Sequence, residues 1–155
     1  MEEINKKYIS IIYTASHQIY ADAVINHFDP YKKLISHRLY RNNCIQTKIG
    51  EEQIYVKDLR VLYGVDLSEV IIIDNCVLSF VFQMDNGIPI LPYYDNKNDR
   101  ELIFLMNYLD YLAQYKDIKN ENKRMIPLEN FKQRVCGEDD GFSNSSNYDF
   151  SNHFR

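Results

Sequence analysis

The sequence predicts an α/β domain built on a parallel sheet. Two apolar runs, 8–13 and 70–73, are rich in Ile and Val and show no alternation, the pattern of strands covered on both faces. Each ends in polar residues, Tyr13-Thr14-Ala15-Ser16 and Asp74-Asn75. Helix-period segments alternate with these runs, which implies a doubly wound parallel sheet. In open sheets of this kind, ligands bind beyond the carboxyl ends of the strands. The polar residues at those ends are therefore the first functional candidates.

The elements follow in order. After the strand over 8–13, Ser16 through Phe28 carries apolar residues at Ile19, Ala23 and Phe28, widened by Tyr20, Val24 and Ile25. This is a helix ended by Asp29-Pro30. Leu34 to Gln46 and Gln53 to Val56 read as strands flanking the turn-rich Lys48-Ile49-Gly50-Glu51-Glu52, a hairpin-like insertion. Beyond the strand over 70–73, Gly87 to Pro92 suggests a short strand whose prolines favour a sheet edge. Asn98-Asp99-Arg100-Glu101 has capping-box spacing, and Leu102, Leu105, Met106, Tyr108, Leu109 and Leu112 follow on one face. A helix over about 98–115 is expected. Residues 137–155 are Ser/Asn-rich and aperiodic, so the reading is a domain over 1–136 followed by a disordered tail.

Composition narrows the function classes. At 155 residues with 45% hydrophobic content, the chain has the material for one core. A net charge of −4 argues against a nucleic-acid binder held by phosphate contacts. The cysteines, Cys44, Cys76 and Cys136, form no CxxC pair, and the histidines, His17, His27, His37 and His153, form no cluster. Reduced thiols in an intracellular protein fit this better than a disulfide framework or a zinc site. Asn144-Ser145-Ser146 is formally a glycosylation acceptor, but Met1 to Lys7 shows neither a signal peptide nor a transit pattern. No apolar run reaches the length of a membrane span. The expectation is a soluble protein of the nucleus or cytoplasm, with neither nucleic acid nor membrane as partner.

Five residues carry candidate chemistry. Asp74-Asn75 places two hard-oxygen side chains at a strand end, suited to Mg²⁺ or equally to ending a strand and capping a helix. Thr14 can offer its hydroxyl to a phosphate or serve as an ordinary N-cap. Lys57, between Val56 and Asp58-Leu59, can neutralise a phosphoryl group or remain a solvated surface lysine. Arg41 can fork onto a phosphate or lie on the insertion's polar face. Residue by residue the structural role is the commoner one; their order and spacing together point further.

That order resembles the carboxy-terminal-domain phosphatases, also called NLI-interacting-factor-like phosphatases, of the haloacid dehalogenase superfamily. The matching text is Tyr-Thr-Ala-Ser (13–16), Tyr-Ala-Asp (20–22), Arg-Leu-Tyr-Arg-x-x-Cys (38–44), Tyr-Val-Lys-Asp-Leu (55–59), Ile-Ile-Asp-Asn (72–75), Ser-Phe (79–80), 83–90 and 98–102. The resemblance spans about Ile4 to Phe131. It implies a haloacid dehalogenase-like, Rossmann-like parallel sheet with a small β-hairpin insertion. It also implies a Mg²⁺-dependent phosphatase acting on phosphoserine or phosphothreonine in proteins. In that family an aspartate forms an aspartyl-phosphate, and a second aspartate two residues later is the general acid/base. By motif position, Thr14 holds a phosphoryl oxygen, Lys57 balances charge, Asn75 ligates Mg²⁺, Asp74 orients the metal's waters and Arg41 faces the phosphopeptide.

Two departures bear on function. Where the family commonly reads Asp-Asn-Ser-Pro, this chain has Asp74-Asn75-Cys76-Val77. The family's nucleophile lies in an Asp-x-Asp-x-Thr/Val motif on the first, central strand, and no Asp-x-Asp occurs among the 155 residues. The fold is thus expected to lack that strand, as a mis-set start or a fragmentary gene model would produce. The strands over 8–13 and 70–73 then either pair with each other, shifting their ends by about 4.8 Å, or leave edges open to another chain. The functional expectation is a phosphatase-family domain without turnover of its own. Two alternatives are a non-catalytic module that holds phosphopeptides through Thr14, Arg41 and Lys57, and, ranked last, a scaffold like the family's mitochondrial import translocase subunit.

Overall fold

The computed structural model describes residues 1–49 and 51–128. It divides into two compact units, Met1–Val65 with Leu78–Gln83, and Asp66–Val77 with the chain from Met84 onward.

The first unit opens with a β-α-β turn of chain. Strand β1 (Ile11–Tyr13) leads through helix α1 (Gln18–Phe28) to β2 (His37–Leu39), which pairs parallel to β1 with Ile11 opposite His37 and Tyr13 opposite Leu39. The helix ends where the sequence places its stop. The buried Asp29 carboxylate accepts the backbone N–H groups of Lys33, Leu34 and Ile35 at 2.8, 3.1 and 3.0 Å. A carboxylate that satisfies three amides fixes the reversal of the chain toward β2.

The buried face of α1 differs from the expected stripe. Ala21 and Ile25 pack with Ile35 against Ile12, Leu34 and Tyr40. Ile19 is 89% exposed, and Tyr20, Ala23, Val24 and Phe28 are exposed as well. Residues four apart share a helix face, and the small Ala21 lets α1 lie close to β1. Strand β1 is also shorter than 8–13 and half-buried, not enclosed on both faces. Among the described residues it has one strand neighbour, and a two-stranded pair cannot enclose it.

The run 34–46 is not one strand. After β2, a 3₁₀ turn at Arg41–Asn43 interrupts it, fixed by the Asn43 Oδ1 accepting Tyr40 N–H at 2.9 Å. Then β3 (Ile45–Ile49) and β4 (Glu52–Val56) form an antiparallel hairpin. Its exit is buried: Val56 is fully enclosed, with Asp58 and Leu59 close behind, and the unit's second segment brings in Phe80, also fully buried.

In the second unit, β5 (Ile72–Asp74) pairs parallel with β6 (Gly87–Pro89), Ile72 opposite Gly87 and Asp74 opposite Pro89. β6 is buried along its length and, among the described residues, has β5 as its one strand neighbour, the edge position its prolines suggested. Helix α2 (Glu101–Leu112) buries Leu105, Tyr108, Leu109 and Leu112, while Leu102 faces solvent. Its start departs from the capping-box reading: Arg100 is the N-cap, and the Asp99 carboxylate accepts Glu101 N–H at 2.9 Å. A further helix, α3 (Ile118–Met125), has little apolar signal of its own and is anchored by Ile118 and the fully buried Asn122.

The parallel sheet of the sequence reading thus appears as two parallel strand pairs, one in each unit, and a hairpin in the first unit. Among the described residues, β1 bonds to β2 alone and β5 to β6 alone. The expected tail over 137–155 lies outside the described residues.

Candidate functional site

The carboxyl end of β1 gathers Thr14, Arg41 and several residues that sequence reasoning passed over. Thr14 N–H continues the ladder to the Leu39 carbonyl at 2.9 Å, and its Oγ1 accepts Ser16 N–H at 3.1 Å. This is a local turn, not the N-cap of α1, which is His17. A hydroxyl has one proton and two lone pairs, so Thr14 retains its O–H to donate to an anion.

Arg41 is fixed from several sides. Its Nε donates to the Ala15 carbonyl at 2.6 Å, its Nη1 lies 2.8 Å from His17 Nε2, and its backbone N–H bonds to Ser16 O at 3.1 Å. The guanidinium carbon stands 5.0 Å from the centre of the Tyr55 ring, a cation–π contact from β4. Its other N–H donors have no partner among the described residues. An arginine held this way keeps its remaining donors in a fixed plane, the geometry that bidentate partners of a guanidinium require. The 3₁₀ turn that positions it is tied to β1 in turn: Tyr13 Oη donates to Asn43 O at 2.6 Å, and the Cys44 thiol lies 3.8 Å from Thr14 O. Burial first, then the negative potential of Cys44 and Asp58, pushes the Tyr13 phenol up to about 12. It therefore stays a neutral donor.

Lys57 follows β4 directly, half-buried between Val56 and Asp58, and its backbone N–H donates to Ser79 O at 2.6 Å. Its neighbour Asp58 is engaged on several sides. The carboxylate takes Arg60 N and Nε at 2.9 Å and Gln83 Nε2 at 3.0 Å, while Gln83 Oε1 accepts Leu59 N–H at 3.1 Å. Hydrogen bonds from Arg60 hold this carboxyl below the usual range against the opposing effect of burial. The Ser79 hydroxyl is buried with no hydrogen-bond partner among the described residues. A buried polar atom left unpaired is uncommon, and this one belongs to the residue that holds the Lys57 backbone.

Asp74 and Asn75 stand in the second unit at the end of β5. Asp74 is buried, its Oδ1 accepting Cys76 N–H at 2.8 Å and its carbonyl accepting Ile90 N–H at 3.1 Å. Asn75 is exposed, with no side-chain hydrogen bond among the described residues. The pair offers oxygen donors of the kind Mg²⁺ takes. Among the described residues no group of three or more His, Cys, Asp or Glu side chains is placed to hold a metal ion. The chemistry of the pair suits Mg²⁺ only as two oxygen-bearing side chains, one of which, the Asp74 carboxylate, already accepts Cys76 N–H.

Residues 1–119 match the family described as NLI interacting factor-like phosphatase. The chain belongs to that family. A CTD small phosphatase-like protein 2 of Dictyostelium discoideum is 45% identical over 109 residues, covering 70% of this chain and 18% of the relative. CTD small phosphatase-like protein 3 of Caenorhabditis elegans is 42% identical, covering 71% and 37%. CTD nuclear envelope phosphatase 1 of Xenopus laevis is 33% identical, covering 81% and 50%. The chain thus spans half or less of the length of these NLI interacting factor-like relatives. The solved structure of Fcp1, an essential RNA polymerase II CTD phosphatase, aligns with a TM-score of 0.50 at 22% identity, over 92% of this chain and 37% of that one. With the parallel strand pairs, this makes the fold α/β and haloacid dehalogenase-like. Among the described residues, no helix is long and apolar enough to cross a membrane.

Sequence motifs singled out Thr14, Arg41 and Lys57 as candidates. They missed His17, Tyr55 and Tyr13, whose parts depend on contacts across the unit; the Tyr-Thr-Ala-Ser and Tyr-Val-Lys-Asp-Leu motifs flag both tyrosines, but not what they touch.

Proposed function

We propose that the chain is the phosphoryl-recognising portion of a protein serine/threonine phosphatase domain. In this reading Thr14 donates to a phosphoryl oxygen, Lys57 neutralises its charge and Arg41 grips the phosphopeptide. Asn75 would ligate Mg²⁺, with Asp74 orienting its waters. A bound Mg²⁺ would neutralise charge on the transferring group. Phosphoryl transfer is catalysed mainly by positioning and charge stabilisation, and these side chains suit that task. The observation that carries the reading is the Arg41 guanidinium, fixed by the Ala15 carbonyl, His17 and the Tyr55 ring at the turn that follows Thr14.

Attack on phosphorus needs a nucleophile, which the family takes from Asp-x-Asp. No such pair occurs in these 155 residues, so this polypeptide by itself binds phosphoserine or phosphothreonine peptides without hydrolysing them. The same proposal places it in the nucleus or cytoplasm. It also assigns the strand edges of β1 and β5 that carry no neighbour among the described residues to pairing with another chain, since such edges recruit strands.

The test is Mg²⁺-dependent hydrolysis of an aryl phosphate, run beside phosphopeptide binding. Binding without turnover is expected. Turnover that Asn75→Ala abolishes would overturn the inactivity, and absence of phosphopeptide binding would overturn the recognition role.

A further inference from the structure

We infer that the Tyr13 hydroxyl is a positioning group for phosphate recognition, a hydrogen-bonded node that fixes the segments carrying Thr14, Arg41 and Lys57 against one another. The inference rests on the phosphate-recognition reading of those three residues and concerns a side chain to which that reading gives no part.

Two of the three links run through the phenol oxygen. Tyr13 Oη donates to Asn43 O at 2.6 Å, and Asn43 closes the 3₁₀ turn that begins at Arg41, its own N–H bonding to Tyr40 O at 2.8 Å. The same oxygen accepts the backbone N–H of Asp58, the residue after Lys57. A hydroxyl has one proton to give and two lone pairs to receive, so it makes both bonds at once. The third link is covalent, since Thr14 follows Tyr13. All three segments lie in the first unit. With the phenol pushed up to about 12, first of all by burial, the donor persists on both sides of neutral pH.

The other ties between these segments constrain them less. The Ala15 and Ser16 carbonyls accept Arg41 Nε at 2.6 Å and Arg41 N–H at 3.1 Å, which joins the turn to the chain beyond Thr14. Lys57 is held separately, its backbone N–H donating to Ser79 O at 2.6 Å. The Tyr55 ring does connect the Arg41 turn to β4, with 5.0 Å between ring centre and guanidinium carbon. A ring face attracts a cation without fixing its position as closely as a hydrogen bond does. Loss of the Tyr13 hydroxyl therefore leaves the turn attached but able to shift against the exit of β4, and small displacements of groups that grip a phosphoryl are costly.

Tyr13→Phe keeps the ring and removes the node, and three readouts on the full 155-residue chain test it. Affinity for a phosphoserine peptide should fall about fivefold in the natural background and only about twofold in Arg41→Ala, because a positioning group acts through the residues it positions. Tyr108→Phe loses a phenol bond of 2.9 Å to Asn122 in the second unit and should leave affinity unchanged. By NMR, the Arg41 Nε–H should exchange with water about tenfold faster in Tyr13→Phe than in the natural chain. Equal fold-losses in the two backgrounds, or a loss in Tyr108→Phe matching that in Tyr13→Phe, would make the hydroxyl a general stabiliser and overturn the inference. Unchanged affinity in Tyr13→Phe overturns it while leaving phosphopeptide recognition standing. A natural chain that binds no phosphopeptide, with Arg41 Nε–H still loosened by Tyr13→Phe, sinks the recognition reading and supports the positioning role.

Discussion

Asn122 Oδ1 accepts the Tyr108 hydroxyl at 2.9 Å inside the second unit, where Asn122 is fully buried. The same amide donates to Asp85 O at 2.9 Å and Gly87 O at 3.0 Å, so one side chain ties α3 to α2 and to the start of β6. Truncation would orphan two carbonyls and a phenol away from water. Asn122→Ala should therefore cost about 2–4 kcal/mol, read as a lower urea midpoint. A loss under about 1 kcal/mol would show that the bonds are replaced by solvent.

The buried Ser79 hydroxyl predicts the opposite sign. It has been taken from water without a partner, which is unfavourable. Ser79→Ala should leave stability unchanged or raise it by up to about 1 kcal/mol in thermal or urea unfolding. A destabilisation larger than that would mean the hydroxyl is bonded in solution.

Acid should act through Asp58. Its folded carboxyl is depressed, chiefly by the Arg60 hydrogen bonds. Such a group adds stability above the unfolded value of about 3.9, and that contribution fades as pH falls through the lower folded value. Arg60 is 69% exposed, which limits the pair to about 1 kcal/mol at neutral pH. Asp58→Asn should be less stable than the natural chain at pH 7, with the gap closing as acid protonates Asp58. Urea midpoints that stay equally far apart down to about pH 2 would contradict this.

Arg41 should not tolerate lysine. A primary ammonium cannot reproduce the Nε bond to Ala15, the ring contact with Tyr55 and an open fork at once. Arg41→Lys is expected to weaken phosphopeptide binding about tenfold, close to the effect of Arg41→Ala. Calorimetric affinities within twofold of the natural chain would reduce Arg41 to a point charge.

Much of this was legible in the order of residues. The runs ending at Tyr13-Thr14 and Asp74-Asn75 are strands, Asp29 does end α1, and the apolar period of α2 marks Leu105, Tyr108, Leu109 and Leu112 as its inner face. The misreadings share one cause. The stripe on α1 is strongly apolar, yet Ile19 and Tyr20 face outward because the surface beneath the helix admits Ala21 and Ile25. The span 34–46 looks extended throughout, yet the hydrogen-bonded turn closed by Tyr40 and Asn43 breaks it into two strands with different partners.

The sequence by itself determined the periods of the elements, the stops between them and the order in which threonine, arginine, lysine and the Asp-Asn pair reach strand ends. Those are local properties, set by backbone preference and by side chains a few positions apart. Only the tertiary structure decided that His17 meets Arg41, that Tyr55 lies under the guanidinium, and that Ser79 is buried without a partner while Asn122 is fully satisfied. Each of those depends on distances between segments far apart along the chain, where local periodicity carries no information about which surface will face which.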